Sequence, residues 1–195
     1  MWWVELLNVI SGVHGAPTPP VTNSYESIAT VSLTGGTAYA EFTSIPSGYK
    51  HLQIRGIIMN AASNDNIAIR MGNGSVDTGS NYSSHQLQGN GSSASAGAST
   101  SQTAAYLSGL VIASSSYPFS FVYDILDYGS TNKNKTIRGL SGQDGNATGT
   151  ATDWRIQLTS GLWMNSSQAV NVIRIYVPAG NMGNYSSFAL YGIKG

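Results

Sequence analysis

The sequence from Tyr25 onward alternates apolar and polar residues with a period of two, which restricts its fold more than any other feature. Apolar side chains recur at every second position in residues 67–71 and again in residues 119–125. Successive side chains of a β-strand point to opposite faces of a sheet, so this period predicts strands with one buried face. Runs of glycine, serine and asparagine between the alternating segments predict turns. The pattern therefore predicts short strands joined by turns.

The number and spacing of these segments predict an all-β fold. We expect about ten or eleven strands in residues 24–195 and no helix in that range. A chain of 195 residues can bury one core of ordinary size but not two comfortable ones. The expected architecture is an antiparallel β-sandwich, and the strand number and long connections favour a jelly roll over an immunoglobulin-like sandwich.

Three segments carry more specific expectations. The strands at residues 29–33 and 38–42, with a Gly35-Gly36 turn between them, predict a hairpin. Residues 89–103 are nearly all Gly, Ser, Ala and Thr, which predicts a long exposed loop or a segment that a neighbouring subunit orders. Residues 170–177 are apolar on both faces and predict a central strand.

Residues 1–23 differ from the rest of the chain, because they combine an apolar run with a proline-rich spacer. Trp3, Leu6, Leu7 and Ile10 fall at helical spacing, and the prolines of residues 17–20 would stop a helix. So short a helix is marginal in water, and its apolar side chains need cover from a partner or from the domain itself. We interpret the segment as a partner-docking arm whose contact residues are Trp2, Trp3, Leu6, Leu7, Val9 and Ile10.

Charge is scarce in this sequence, since only 9% of the residues are charged and nine basic residues balance nine acidic ones. A nucleic-acid partner needs concentrated basic charge, so we expect no nucleic acid. The apolar run of the arm is about half of the roughly 20 residues that span a bilayer, and it lacks the basic start of a signal peptide. We expect no membrane partner and a soluble protein that begins at Met1. The lack of cysteine excludes disulfides and thiolate sites.

Few residues could carry catalysis. Asp124 and Asp127 are the best pair of acids, with Glu41 or Asp153 as further partners, but a spacing of three places the first two on opposite faces of a regular strand. The three histidines lie far apart, and no Gly-x-Ser-x-Gly motif accompanies them. Turns rich in Asn and Asp match no twelve-residue calcium loop. We therefore expect no enzyme activity, no catalytic residue, no metal site and no cofactor.

Aromatic residues are the remaining candidates for recognition, since the chain contains eleven tyrosines and four tryptophans. Aromatic side chains are enriched at protein interfaces and can stack on sugars. Trp163, Tyr82 and Tyr128 lie beside polar turn residues and are candidates for contact with a glycan or with another subunit. Ordinary core packing is the alternative for all three.

Several stretches resemble a family of small structural proteins encoded by tailed bacteriophages, in which a β domain occurs alone or at the end of a fibre-like protein. The stretches that carry the resemblance are residues 24–31, 42–56, 124–128, 132–136, 160–163 and 185–194. The resemblance spans residues 24–195 and includes no catalytic motif.

The resemblance implies a setting and a class of partner. It implies a protein made in the cytoplasm of the bacterial host and placed on the virion surface, commonly as a homotrimer, where a short N-terminal peptide docks it onto the major capsid protein or a tail protein. A capsid decoration (cement) protein is the expected role, because fibres usually carry a longer shaft. A short tail fibre or a receptor-binding module for host surface glycan is the alternative.

Overall fold

The structure, a computed structural model, describes residues 24–59, 66–108, 116–145 and 154–195. These residues form thirteen strands and no helix, so within them no helix is long and apolar enough to cross a membrane. The strands are β1 (Tyr25–Ser32), β2 (Tyr39–Phe42), β3 (His51–Ile58), β4 (Ala68–Asn73), β5 (Ser75–Val76), β6 (Tyr82–Gly89), β7 (Ala94–Gln102), β8 (Ala105–Tyr106), β9 (Phe119–Leu126), β10 (Lys135–Gln143), β11 (Arg155–Trp163), β12 (Val172–Tyr176) and β13 (Ser187–Ile193).

The strands form two antiparallel sheets that pack face to face. The large sheet has eight strands in the order β1-β13-β3-β9-β10-β11-β6-β7, and the small sheet has the order β2-β12-β4-β5, with β8 also paired to β4. β12 lies between β2 and β4, so the central strand predicted from residues 170–177 is confirmed. The predicted all-β, antiparallel sandwich is confirmed as well.

The core lies between the sheets and consists of the inward-pointing half of each alternating segment. β3, β9 and β13 contribute large side chains from one sheet, and β4 and β12 contribute them from the other. Gly56 on β3 leaves space for the Phe121 ring, because a Cβ at that position would lie 2.2 Å from a ring carbon. The fully buried members include Leu52, Ile54, Ile69, Phe119, Tyr123, Ile137, Ile173, Ile175, Phe188 and Leu190.

The hairpin predicted around Gly35-Gly36 is wrong. β1 pairs with β13 at the edge of the large sheet, whereas β2 pairs with β12 in the small sheet. The two glycines therefore lie in a connection that crosses from one sheet to the other. Thr37, within this connection, forms an isolated bridge with Met182. Local alternation predicted the strands, but it could not tell that their partners lie more than 100 residues away.

The exposed loop predicted over residues 89–103 is also wrong in its main part. Residues 94–102 form β7, the outermost strand of the large sheet, which pairs with β6 along nearly its whole length. Its small side chains are exposed or half-buried, so they contribute little apolar burial. The composition of residues 94–102 alone predicts no regular structure. Their pairing with β6 orders them, because the backbone of β7 hydrogen-bonds to its neighbour strand.

Asp77 anchors the turn region between β5 and β6 to the sandwich. Its carboxylate accepts hydrogen bonds from Trp163 Nε1 (2.8 Å), Asn81 Nδ2 (2.9 Å) and the Gly79 N–H (2.8 Å). Partial burial raises the pKa of Asp77, but these donors outweigh that effect and hold the pKa below its ordinary value of 3.8. The ionised carboxylate therefore stabilises the folded state.

We predict that Asp77→Asn lowers the free energy of unfolding by about 1 kcal/mol near pH 7, because a neutral amide accepts weaker hydrogen bonds than a carboxylate. The pKa of Asp77 is lower in the folded protein than in the unfolded chain, so its contribution is present above pH 3.8 and is lost as the pH falls through the folded pKa. Urea denaturation at a series of pH values should show the two proteins converging as the pH falls. A constant difference down to the lowest pH would contradict this role.

Candidate interaction surface

The outer face of the large sheet, which points away from the small sheet, carries an unusual arrangement of aliphatic side chains. On β11, Ile156 and Leu158 are 60% and 58% exposed. Gln157, which lies between them, and Thr159, which follows them, are buried. The alternation in this strand would ordinarily place the aliphatic residues inside. The structure places the polar set inside instead.

The aliphatic residues of four neighbouring strands lie side by side. Strand register aligns one residue from each of β9, β10, β11 and β6, and we call this set the apolar row: Val122, Leu140, Leu158 and Leu87. Their exposed fractions are 38%, 47%, 58% and 53%. Directly opposed side chains on one face of a sheet are in contact range, so the row is a continuous apolar surface. Ala96 of β7 extends it to the edge of the sheet.

A second line of residues runs parallel to the apolar row and lies two residues away from it on each strand. It contains Ile57 and Ile156, which are 43% and 60% exposed, and the small residues Ser120 and Gly142 between them. The small residues leave a depression beside Leu140. The row and this second line together form an apolar patch with a shallow groove.

Amide side chains on the inner face explain why the aliphatic residues of these strands point outward. Gln157 donates to the carboxamide oxygens of Gln86 and Gln88 at 3.2 and 3.1 Å, and Arg155 donates to Gln88 at 2.9 Å. Buried amides need such partners, and the neighbouring strands β11 and β6 supply them to one another. This network fixes the register that turns Leu158 and Leu87 to the outside.

The line of residues on the other side of the apolar row is charged with both signs. Asp124 of β9 lies opposite Gln53 and Arg138, and it accepts a hydrogen bond from Gln53 at 2.8 Å. Arg138 is 4.0 Å from Asp124 and its side chain is 65% exposed. Arg55, on β3, lies at the end of the row beside Val122. The apolar patch therefore has a rim that contains both cations and an anion.

The candidate aromatic contacts Trp163, Tyr82 and Tyr128 lie in the core, which corrects the prediction that they form a glycan or subunit contact. Their exposed fractions are 0%, 0% and 1%. Register pairs Trp163 of β11 with Lys135 and Tyr82 on the inner face of the large sheet. Tyr128 donates from its hydroxyl to the Pro46 carbonyl. A ring must be exposed to stack on a sugar, so these three side chains serve core packing and the anchoring of turns.

The arm residues Trp2, Trp3, Leu6, Leu7, Val9 and Ile10 lie outside the described residues. Asp153, one of the candidate acids, also lies outside the described residues. The arm therefore remains a prediction from the sequence.

The described carboxylates are engaged separately by nearby polar groups. Lys133 and Lys50 lie 2.9 and 3.4 Å from Asp127, and the hydrogen bond from Lys133 is the main cause that lowers the pKa of this carboxyl. Arg174 binds Glu41 at 2.6 Å. A general acid needs a raised pKa, which is the opposite of the effect on Asp127.

The part of the chain that the structure describes contains no group of three or more His, Asp or Glu side chains that could hold a metal ion.

A cleft of about 790 Å³ includes the groove of the apolar patch, because Leu140, Gly142 and Ile156 are among its lining residues, and it extends to where β9 begins, β10 ends and β11 begins. Trp154 lines it and packs edge-to-face on Tyr117, with ring centroids 5.2 Å apart. Asp144, Arg155 and Asn90 add polar groups. Sequence reasoning placed Trp154 only in an alternating segment and missed this setting.

The apolar row was also missed from the sequence, because the neighbours of its leucines do not show which face of the sheet they occupy. Leu87 and Leu158 each stand between two residues with amide or hydroxyl side chains, and Leu140 stands between a glycine and a serine. Isolated aliphatic residues of this kind are compatible with either face of a sheet. Only the pairing of the strands shows that they align.

No protein-family model matches this sequence, and no curated protein matches it significantly.

We predict that Trp163→Ala and Leu158→Ala differ strongly in their effect on stability. Removing the buried indole should lower the free energy of unfolding by about 3–5 kcal/mol. Removing the exposed leucine side chain should lower it by less than about 1 kcal/mol, because it buries little area within one subunit. Urea denaturation at low protein concentration measures both. Equal losses would contradict the assignment of Leu158 to the outer surface.

Proposed function

We propose that this protein is a non-enzymatic structural protein of a bacteriophage virion surface, a capsid decoration (cement) protein that its N-terminal arm anchors to the particle. The observation that carries the structural role is the apolar patch on the outer face of the large sheet. Contiguous exposed apolar patches on soluble domains mark interaction sites. A domain with few charges and such a face is suited to an assembly.

The chemistry of the described residues supports a structural role over an enzymatic one. The candidate acids Asp127 and Glu41 hold salt bridges, and Asp124 accepts a hydrogen bond from Gln53. His51 accepts a hydrogen bond from the Asp127 N–H at 3.0 Å, so it supports the turn after β9. These groups stabilise local structure.

The resemblance to small β-domain proteins of tailed phages supports the virion setting. It also supports a homotrimer and docking to the major capsid protein or a tail protein. The strand order adds support for the expected jelly roll, because β1-β13-β3-β9 and β2-β12-β4-β8 are two sets of four adjacent strands between which the chain passes repeatedly.

We predict that removal of residues 1–20 leaves a folded β-sandwich that no longer joins virions. The strands begin at Tyr25 and build their core from later residues, so folding should survive. Particles assembled with the truncated protein would be purified, and its occupancy measured against the full chain. Incorporation at full occupancy would contradict the anchoring role of the arm.

A receptor-binding module of a short tail fibre is the second candidate, and the cleft at Trp154 is the observation that favours it. Glycan sites combine an aromatic ring with several polar groups, and Trp154, Asn90, Asp144 and Arg155 meet this description. The glycan contact would thus lie at Trp154, in place of the buried Trp163, Tyr82 and Tyr128.

We predict for this second candidate that the full chain binds bacterial surface saccharides on a glycan array and that Trp154→Ala abolishes the binding. Tyr25→Ala is the matched control, because Tyr25 is aromatic and, at 47%, more exposed than the half-buried Trp154, but it lies on β1, far across the sheet. The control should bind like the unmodified chain. An array without hits would count against a glycan-binding function.

A further inference from the structure

The apolar patch on the large sheet has no cover among the described residues, and its composition indicates what could cover it. The four side chains of the apolar row carry no charge, and the strand beyond them, β7, has no charged residue in its nine positions. A surface of this kind can meet an identical surface without like-charge repulsion. If the surface were charged, the same symmetric contact would bring like charges together and would be destabilised by their repulsion.

The rim of the patch also fits an identical surface. Arg138 and Arg55 provide two cations and Asp124 provides an anion. When two copies meet, the exposed Arg138 of one can approach Asp124 of the other. A nucleic acid would require a rim of basic residues alone, and an anionic membrane would require the same. Neither matches a rim that contains both signs.

We propose that the apolar row Val122, Leu140, Leu158 and Leu87 is the contact surface between copies of this protein. The four strands that carry it extend about 14 Å across the sheet, from the first to the last, at the usual strand spacing. A stable interface buries about 800 Å² on each partner. The row alone is smaller than this, so Ile57, Ile156, the rim and the neighbouring face of β7 belong to the contact.

The groove beside Leu140 gives the contact shape as well as apolar area. Gly142 and Ser120 form its floor, with Ile156 and Ile57 on either side along the same line. A leucine from another copy's row can enter this groove as a knob enters a hole. A contact between two identical faces has two-fold symmetry and gives a pair of copies. In the ring that the expected homotrimer requires, the row of one copy would instead meet the groove of the next copy.

This inference rests on the proposed structural function, because it names the partner of the sheet face in that role. It concerns a different surface from the arm. The arm would attach the protein to the particle, and the apolar row would hold copies to one another. An experiment can therefore distinguish loss of the arm contact from loss of the contact between copies.

The test is the mass of the full chain in solution, by sedimentation velocity and light scattering, across roughly 1–100 μM, since oligomers dissociate on dilution. The unmodified protein should have a multiple of the 20.5 kDa monomer mass. The double variant Leu140→Lys, Leu158→Lys should be a monomer, with its dissociation constant raised roughly hundredfold or more, because association would bury unpaired ammonium groups.

Thr30→Lys is the matched control, because Thr30 lies on the same face and the same cross-strand line, at the opposite edge on β1. It should keep the mass of the unmodified protein. Circular dichroism would confirm that each variant is folded, which is expected because the substituted side chains are exposed. A monomeric unmodified chain, or a double variant of unchanged mass, would overturn the proposal.

One further variant separates the two possible occupants of the patch. Leu6→Asp, Leu7→Asp in the full chain alters the arm and should leave the oligomer intact. Loss of the oligomer in this variant would overturn the proposal, because the arm would then be the segment that covers the row. If the oligomer persists while the arm variant fails to join virions, the two surfaces act separately. If the arm variant joins virions fully while the double lysine variant is a monomer, the anchoring function fails and the contact between copies stands.

Discussion

The antiparallel register of the large sheet is the constraint on which the rest of this structure depends. It places Tyr123, Ile137 and Trp163 on the inner face and, by the same alternation, Val122, Leu140 and Leu158 on the outer face. A slip of one residue in any of these strands would exchange its two sets. The glutamine network on the inner face opposes such a slip, because its amides would lose their partners.

Much of the fold could be predicted from the sequence, because alternation is a local signal. The segments around Ile69 and Tyr123 were recognisable as strands by their period, and the segment around Ile173 by its apolar residues on both faces. The partner of each strand was not, because pairing depends on residues far away in the chain. β1 pairs with β13 at the other end of the chain. β7 shows the same limit, since its residues have poor strand propensity and depend on β6 for order.

The candidate site was less accessible to sequence reasoning for a related reason. A tryptophan beside a turn, such as Trp163, has the same local sequence whether it faces solvent or the core. Its hydrogen bond to Asp77, 86 residues away, places it inside. Leu158 presented the reverse difficulty. The alternation around it would ordinarily place its side chain inside, and the structure places it outside. The two kinds of residue therefore have different roles. Buried aromatic side chains such as Trp163 hold the turns, and exposed aliphatic side chains such as Leu158 form the proposed contact surface.

The account's central claim is that the apolar row is covered by another copy of the protein. The most direct measurement is methyl NMR in the presence of a soluble paramagnetic agent, recorded over a range of protein concentrations. The methyl groups of Leu87, Leu140 and Leu158 should become protected from the agent as the concentration rises, while the methyl group of Met164, 42% exposed just beyond the end of β11, keeps its accessibility. Leucine methyl groups that stay equally accessible at every concentration would contradict the account.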